Sequence, residues 1–463
     1  MIGYLGLLFL LFFTSIGAAQ ETPPALQKLV EESGPLLPQI SARTGPTLTL
    51  GECYEIALEK HPVLFAQRAA VDQAAAQAEV AWAQFDPTVG ANINRTWLTV
   101  TPFYTPGPVI SNQTQAALNV TQVITDWGQR KAAAEAAEWA LKAAFYAFQS
   151  SRLEQFQRVQ FAYVEVLRAE LFLAVQNDNL NRTRFMQEFA NKLYKAGQKS
   201  MIDVSQATTQ TAQAEVNTHE AENAVQNARL ALAQAVGLDS QTLEDRPLQL
   251  LLEDPFAAQS RDEALLQLEN NPALLSLEAQ ARAFEKQAEQ QRRTRYPVLS
   301  SGVQYGLQGL NGPDAQFWQF GLSLSMPLYL PGVEAQARQF EANAAQLRFN
   351  KDNARLQLLQ QLDTAYSDLK WTDRRAQAGK REVELALANL ALSYKRYRAG
   401  LADITEQINA RVFVNSAQND YVSALVDRKL AEGRLLQVLG QLPLAPAYDP
   451  ENPQIPLPAL KRP

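Results

Sequence analysis

Between Gly128 and Gly197 the chain carries neither glycine nor proline, and from Val333 to Arg398 it carries only Gly379. Those two residues are the strongest helix breakers. Runs this long, rich in Ala, Gln, Glu, Leu and Arg, therefore predict two very long helices. At 1.5 Å per residue each extends about 100 Å, against the ~30 Å of a small domain. No single globular core can hold such a helix, so it must bury its apolar stripe lengthwise against other helices. The sequence provides partners. Val204, Ala207, Thr211, Ala214, Thr218, Ala221, Val225, Ala228, Leu232 and Ala235 step by three and four, as do Gln407, Ala410, Val414, Ala417, Tyr421, Ala424, Arg428, Ala431, Leu435 and Val438. Val383, Leu387, Leu390, Tyr394 and Tyr397 do the same. Heptad spacing of this kind makes a coiled-coil seam, and alanine in the seam lets neighbouring backbones approach closely.

The chain also repeats itself. Glu59-Lys60-His61-Pro62-Val63-Leu64 matches Glu269-Asn270-Asn271-Pro272-Ala273-Leu274, and at the same offset Pro87 meets Pro297. Gly128 matches Gly332, Tyr194-Lys195-Ala196-Gly197 matches Tyr397-Arg398-Ala399-Gly400, and Gly237 matches Gly440 at slightly smaller offsets. Matched proline and glycine punctuation is not a by-product of Ala/Gln-rich composition. Two copies of one long unit are present, far longer than the ~20–50 residues of a solenoid repeat. Repeat one spans 47–240 and repeat two 261–442, with 241–260 as a linker. Each opens with a helix, about 48–84 and about 261–294, punctuated at His61-Pro62 and Asn271-Pro272.

A β-like region follows in each unit. Leu118 and Val120 alternate with Asn119 and Thr121, after Ala116. Val303, Tyr305 and Leu307 alternate with Gln304, Gly306 and Gln308, and Trp318, Phe320, Leu322, Leu324 and Met326 with Gln319, Gly321, Ser323 and Ser325. Period two predicts strands with one apolar and one polar face. Residues 102–112 and 309–316, rich in Pro, Gly and Asn, read as hairpin loops.

Residues 2–13 are an uninterrupted apolar run, followed by small residues at Gly17 and Ala19. This fits a signal peptide over 1–19, although no Lys or Arg precedes the run. Residues 20–46 and the proline-rich 443–463 read as extended. No later stretch approaches the ~18 apolar residues of a membrane helix. A bilayer crossing, if there is one, is made by strands. Each unit offers two strands long enough to cross when tilted. Four strands close no useful barrel, and open edges are not tolerated in lipid. Several chains must therefore share one barrel.

Function classes narrow as well. A net charge of −6 speaks against bulk nucleic-acid binding. One cysteine excludes an intrachain disulfide framework or a CxxC site, and two histidines leave little for a metal centre or a catalytic triad. No enzyme, metal site or cofactor is expected. Cys53 reads as a small buried apolar residue, and His61 and His219 as surface residues.

The whole pattern resembles the TolC-like outer-membrane efflux protein family over residues 48–442. The most specific marks are the twofold repeat and the paired Tyr-x-Ala-Gly turns. Leu48-Thr49-Leu50 leading to Ala57-Leu58-Glu59-Lys60-His61-Pro62 is similar to the family's opening, and Asp126-Trp127-Gly128 and Leu330-Pro331-Gly332 to its strand-to-helix junctions. The resemblance implies a mostly α chain with a membrane β-barrel portion. In it a homotrimer, four strands per protomer, builds a twelve-stranded barrel in the outer membrane, continued by a coiled-coil tunnel across the periplasm. It implies the exit duct of a tripartite efflux or type I secretion system. Its partners would be a periplasmic adaptor, an inner-membrane pump of the RND, ABC or major-facilitator class, and outer-membrane lipid. It further implies a periplasmic gate at Asp203, Gln206, Tyr397, Glu406 and Asn409, and adaptor-docking turns at Tyr194, Gly197, Lys199, Gly400 and Asp403. The family's basic residue two positions after the second turn glycine is Ala402 here, so Lys199, its counterpart in repeat one, is expected to contact Glu406 instead.

Without the resemblance, Gly197 and Gly400 are helix ends that need φ > 0. Asp203 and Asp403 fit helix-start caps, Tyr194 and Tyr397 fit hairpin packing, and Lys199 and Glu406 fit solvated side chains. The competing reading of the whole is an exported coiled-coil scaffold whose β segments form a small domain.

Overall fold

The computed structural model describes residues 36–38, 47–100, 109–239, 246–250, 260–310 and 315–440. The expected signal peptide and proline-rich tail lie outside these residues.

Each repeat starts with two helices where the sequence suggested one. Helices α1 (Leu50–Lys60) and α2 (Pro62–Ala83) meet at His61, and α5 (Arg261–Leu268) and α6 (Pro272–Arg293) meet before Asn271-Pro272. Proline disfavours helical backbone in the residue before it. His61 and Asn271 are accordingly extended, and each accepts a hydrogen bond from the backbone N–H two residues on. His61 is thus a helix cap at the surface. The first helix of each pair carries a capping box, Thr49 with Glu52 and Ser260 with Glu263.

The strands follow. β1 is Thr88–Val100, β2 Val109–Thr125, β3 Val298–Leu310 and β4 Ala315–Ser325. They form one antiparallel sheet in the order β1-β2-β3-β4, so the β2–β3 ladder joins the two repeats. The strands run further than their alternation indicated. Asn112 lies in β2, Gly309 in β3 and Gln316 in β4, which shortens the expected loops.

The register aligns the apolar residues of all four strands. Ala91, Leu118, Tyr305 and Trp318 form one cross-strand row, and Val89, Val120, Val303 and Phe320 the next. On the opposite face Gly90, Asn119, Gln304 and Gln319 form a polar row. Both apolar rows are exposed in the chain's own fold, Trp318 to 77%, and so is Ile93 on the same face, to 80%.

Beyond the sheet run α3 (Gln129–Lys195) and α4 (Met201–Val236), then α7 (Val333–Arg398) and α8 (Ile404–Val438). These are two antiparallel hairpins lying side by side, with α3 at the centre against α1, α2, α4, α6 and α8. The core is a string of clusters along the rods and not one globule. One joins Cys53, Tyr163, Leu167, Leu232 and Val236, and another joins Val383, Leu387, Val414 and Tyr421. Cys53 is fully buried, as expected. The linker returns to the start of repeat one. Leu48 N–H donates to the Pro247 carbonyl at 2.7 Å, and the buried Tyr163 hydroxyl lies 2.9 Å from the carbonyls of both Leu48 and Gln249. Within the segment expected to be merely extended, Leu36 and Leu37 pack on the α7–α8 core, and Gln418 donates to the Leu36 carbonyl.

Candidate functional site: the paired helical turns

Both hairpins turn at the end of the molecule far from the sheet. Gly197 and Gly400 sit there with φ of 71° and 74°, a region that favours glycine. Each turn closes with the same two bonds. Gly197 N–H donates to Tyr194 and Gln198 N–H to Leu193; Gly400 N–H donates to Tyr397 and Leu401 N–H to Arg396. This is the Schellman arrangement, which satisfies the last helical carbonyls.

The two turn tyrosines differ. Tyr194 is 43% exposed, whereas Tyr397 is fully buried among Met186, Ala190, Ala207 and Ile404. Its hydroxyl has no hydrogen-bond partner among the described residues. Burial, then the Asp203 charge, pushes its phenol up to about 12. The Phe189 ring lies 6.2 Å from Tyr397 and 5.8 Å from Tyr394. Sequence reasoning missed this aromatic cluster. Its signal was the helical spacing of Phe185 with Phe189 and of Tyr394 with Tyr397.

Lys199 bridges the two turns. Its ammonium stands 4.6 Å from the Tyr397 ring centroid and donates to the Ala402 carbonyl at 3.2 Å. The expected contact with Glu406 is replaced by one from Arg396, whose Nε lies 3.1 Å from the Glu406 carboxylate. Arg396 sits one turn back on the helix beside α8, so it reaches Glu406 while Lys199 is drawn to the ring and carbonyl. Asp203 forms a capping box with Ser200, receiving the Ser200 N–H at 3.4 Å. Asp403 takes the N-cap position of α8 without a side-chain cap bond. Gln206, Glu406 and Asn409 are exposed. The fold therefore brings Lys199, Tyr397, Asp203 and Ala402 together, and leaves Gln206, Glu406 and Asn409 on open faces of α4 and α8.

Among the described residues no group of three or more His, Cys, Asp or Glu could hold a metal ion, and no helix is long and apolar enough to cross a membrane.

The family model described as outer membrane efflux protein matches residues 53–238 and 266–441, one segment per repeat. The chain belongs to the outer membrane efflux protein family. This is a family of transport channels of the outer membrane, with a helical tunnel in the periplasm. Among curated relatives of this outer membrane efflux protein, Protein CyaE of Bordetella pertussis is 25% identical, covering 91% of this chain and 90% of its own. The pyoverdine export outer membrane protein OpmQ of Pseudomonas putida is 23% identical, covering 71% of each chain. The fold is that of the outer membrane protein VceC of Vibrio cholerae. The TM-score is 0.75 at 21% identity, covering 85% of this chain and 96% of that one.

Proposed function

We propose that three copies of this outer membrane efflux protein close their sheets into one twelve-stranded barrel, and that their helices form one tunnel leading to it. The observation that carries this reading is the aligned apolar face of the sheet. It is exposed on all four strands, and β1 and β4 leave open edges. In water such a face marks an interface. In lipid it is stable only once the edges are paired. Antiparallel order throughout lets β4 of one copy pair with β1 of the next.

In this reading the polar row of Asn119, Gln304 and Gln319 lines the lumen. The paired turns form the periplasmic gate, with Asp203, Gln206, Tyr397, Glu406 and Asn409 around the constriction. Tyr194, Gly197, Lys199, Gly400 and Asp403 present the surface on which a periplasmic adaptor docks, and an inner-membrane pump selects the cargo. Residues 1–19 direct export, 241–260 join the repeats, and 443–463 form a tail. The protein performs no bond chemistry; it provides a water-filled path and keeps it shut until the pump assembly engages.

Planar-bilayer recording of the purified protein tests this. Discrete, long-lived conductance steps are expected. A protein released from membranes by salt alone, and silent in bilayers, would instead support the coiled-coil scaffold.

A further inference from the structure

A cavity of about 450 Å³ opens between α3, α7 and α8. Its apolar walls are Phe185, Met186, Leu387, Leu390 and Tyr394, and Arg182 and Arg411 line it as well. Arg411 is 95% buried by its 5% exposure, and its Nη2 has no hydrogen-bond partner among the described residues. Burial, then the like charge of Arg182, pulls its guanidinium down to about 10. Arg182 is itself held by Asp178 at 2.7 Å. A buried charge is normally paired, and here the nearby charge is of the same sign.

The site thus combines an unmatched guanidinium with an aromatic and aliphatic wall. A guanidinium N–H donates a charge-assisted hydrogen bond to a carboxylate or sulfonate, stronger than one to a neutral group. The volume lies in the range of small-molecule pockets, about 300–1,000 Å³. A carboxylate side chain from a neighbouring copy would satisfy the charge but leave most of the apolar wall uncovered. We propose that this cavity binds amphipathic organic anions, with the carboxylate or sulfonate on Arg411 and the apolar body against Phe185, Leu387 and Tyr394. All of its lining residues belong to one chain, so ligand binding is read separately from conductance.

Calorimetric titration of the purified full chain in mild detergent tests this, using 2-naphthoate and its neutral counterpart 2-naphthalenemethanol, with protein-free detergent as blank. Saturable naphthoate binding is expected, one per chain, with the alcohol about 10-fold weaker or more. Arg411→Met should remove that preference. Ala391→Phe, which fills the cavity and leaves Arg411 in place, should abolish binding of both and serves if Arg411→Met fails to fold. No saturable naphthoate binding, as when a neighbouring copy's carboxylate occupies Arg411, overturns the proposal. So does equal affinity for acid and alcohol, or naphthoate binding unchanged in either variant. The readout is binding, so a protein that does not conduct can still pass, and one that conducts can still fail.

Discussion

Lys199 on one turn holds its ammonium over the ring of Tyr397 on the other, 4.6 Å from the ring centroid, and donates to the Ala402 carbonyl. Ala402 is the repeat-two counterpart of Lys199. The pair joins the hairpins at the point where the proposed gate must stay shut. A cation–π contact contributes about 0.5–2 kcal/mol depending on desolvation. Lys199→Met is expected to raise the leak conductance of the closed channel in planar bilayers. An unchanged leak would remove Lys199 from the gate.

Tyr397 acts through its ring. Its hydroxyl is buried without a partner, so Tyr397→Phe should leave both stability and leak close to wild type. Tyr397→Ala empties a fully buried site and should cost about 3–5 kcal/mol locally. Thermal melting and conductance of the two variants, measured side by side, separate ring from hydroxyl.

Arg396 partly neutralises Glu406 in each copy. If three Glu406 carboxylates approach one axis, Arg396→Gln should strengthen cation selectivity and Glu406→Gln should weaken it. The pair is exposed to solvent, so the difference should shrink as ionic strength rises and the Debye length falls below its ~10 Å at 0.1 M. Reversal potentials across a salt gradient measure this directly.

Asp126 ties β2 to α3. Its carboxylate receives the Gly128 and Arg130 N–H groups at 3.1 and 2.8 Å and the Arg130 Nε at 3.0 Å. Burial opposes ionisation, but these bonds outweigh it and hold the carboxyl below its usual value. The native pKa is depressed, so its contribution is complete above the unfolded value of about 3.9 and is lost as pH falls through the lower native one. Asp126→Asn should cost about 2 kcal/mol at neutral pH and flatten the acid limb of stability. A pH series of melting temperatures for both proteins checks this.

The sheet offers a contrast at single atoms. A Cβ on Gly306 would collide with the Ala116 carbonyl oxygen and lie 2.7 Å from Ala117 Cα, whereas one on Gly321 would meet nothing within 4 Å. Gly306→Ala should impair assembly and Gly321→Ala should not. Likewise Leu322→Lys, on the apolar face, should cost about 2–4 kcal/mol near the bilayer midplane, and Ser323→Lys far less. Native gel mobility of membrane-extracted protein reports each.

Much of this was legible in the sequence because the signals were obligate. Gly197 and Gly400 are the left-handed residues that a Schellman turn requires, and Leu118, Tyr305 and Trp318 lie on the face that period two assigns them. Strand β1 was less visible, because Arg95 falls in its apolar row; it is accommodated there by Asn112 at 3.1 Å and by the Trp97 ring. The difference between Tyr194 and Tyr397 was hidden, since which tyrosine is buried depends on how the hairpins dock. Arg396 displaced Lys199 as the partner of Glu406 for the same reason. Arg411 was unreadable: beside the seam residues Gln407, Ala410 and Val414, an arginine looks like an ordinary solvated charge.

If one chain supplies a third of a barrel, native mass spectrometry from mild detergent should register it as a trimer. A species of three copies of the 51.3 kDa chain, less any leader removed on export, is expected, with conductance from that species alone. A monodisperse monomer that conducts as well as the membrane-extracted protein would contradict it.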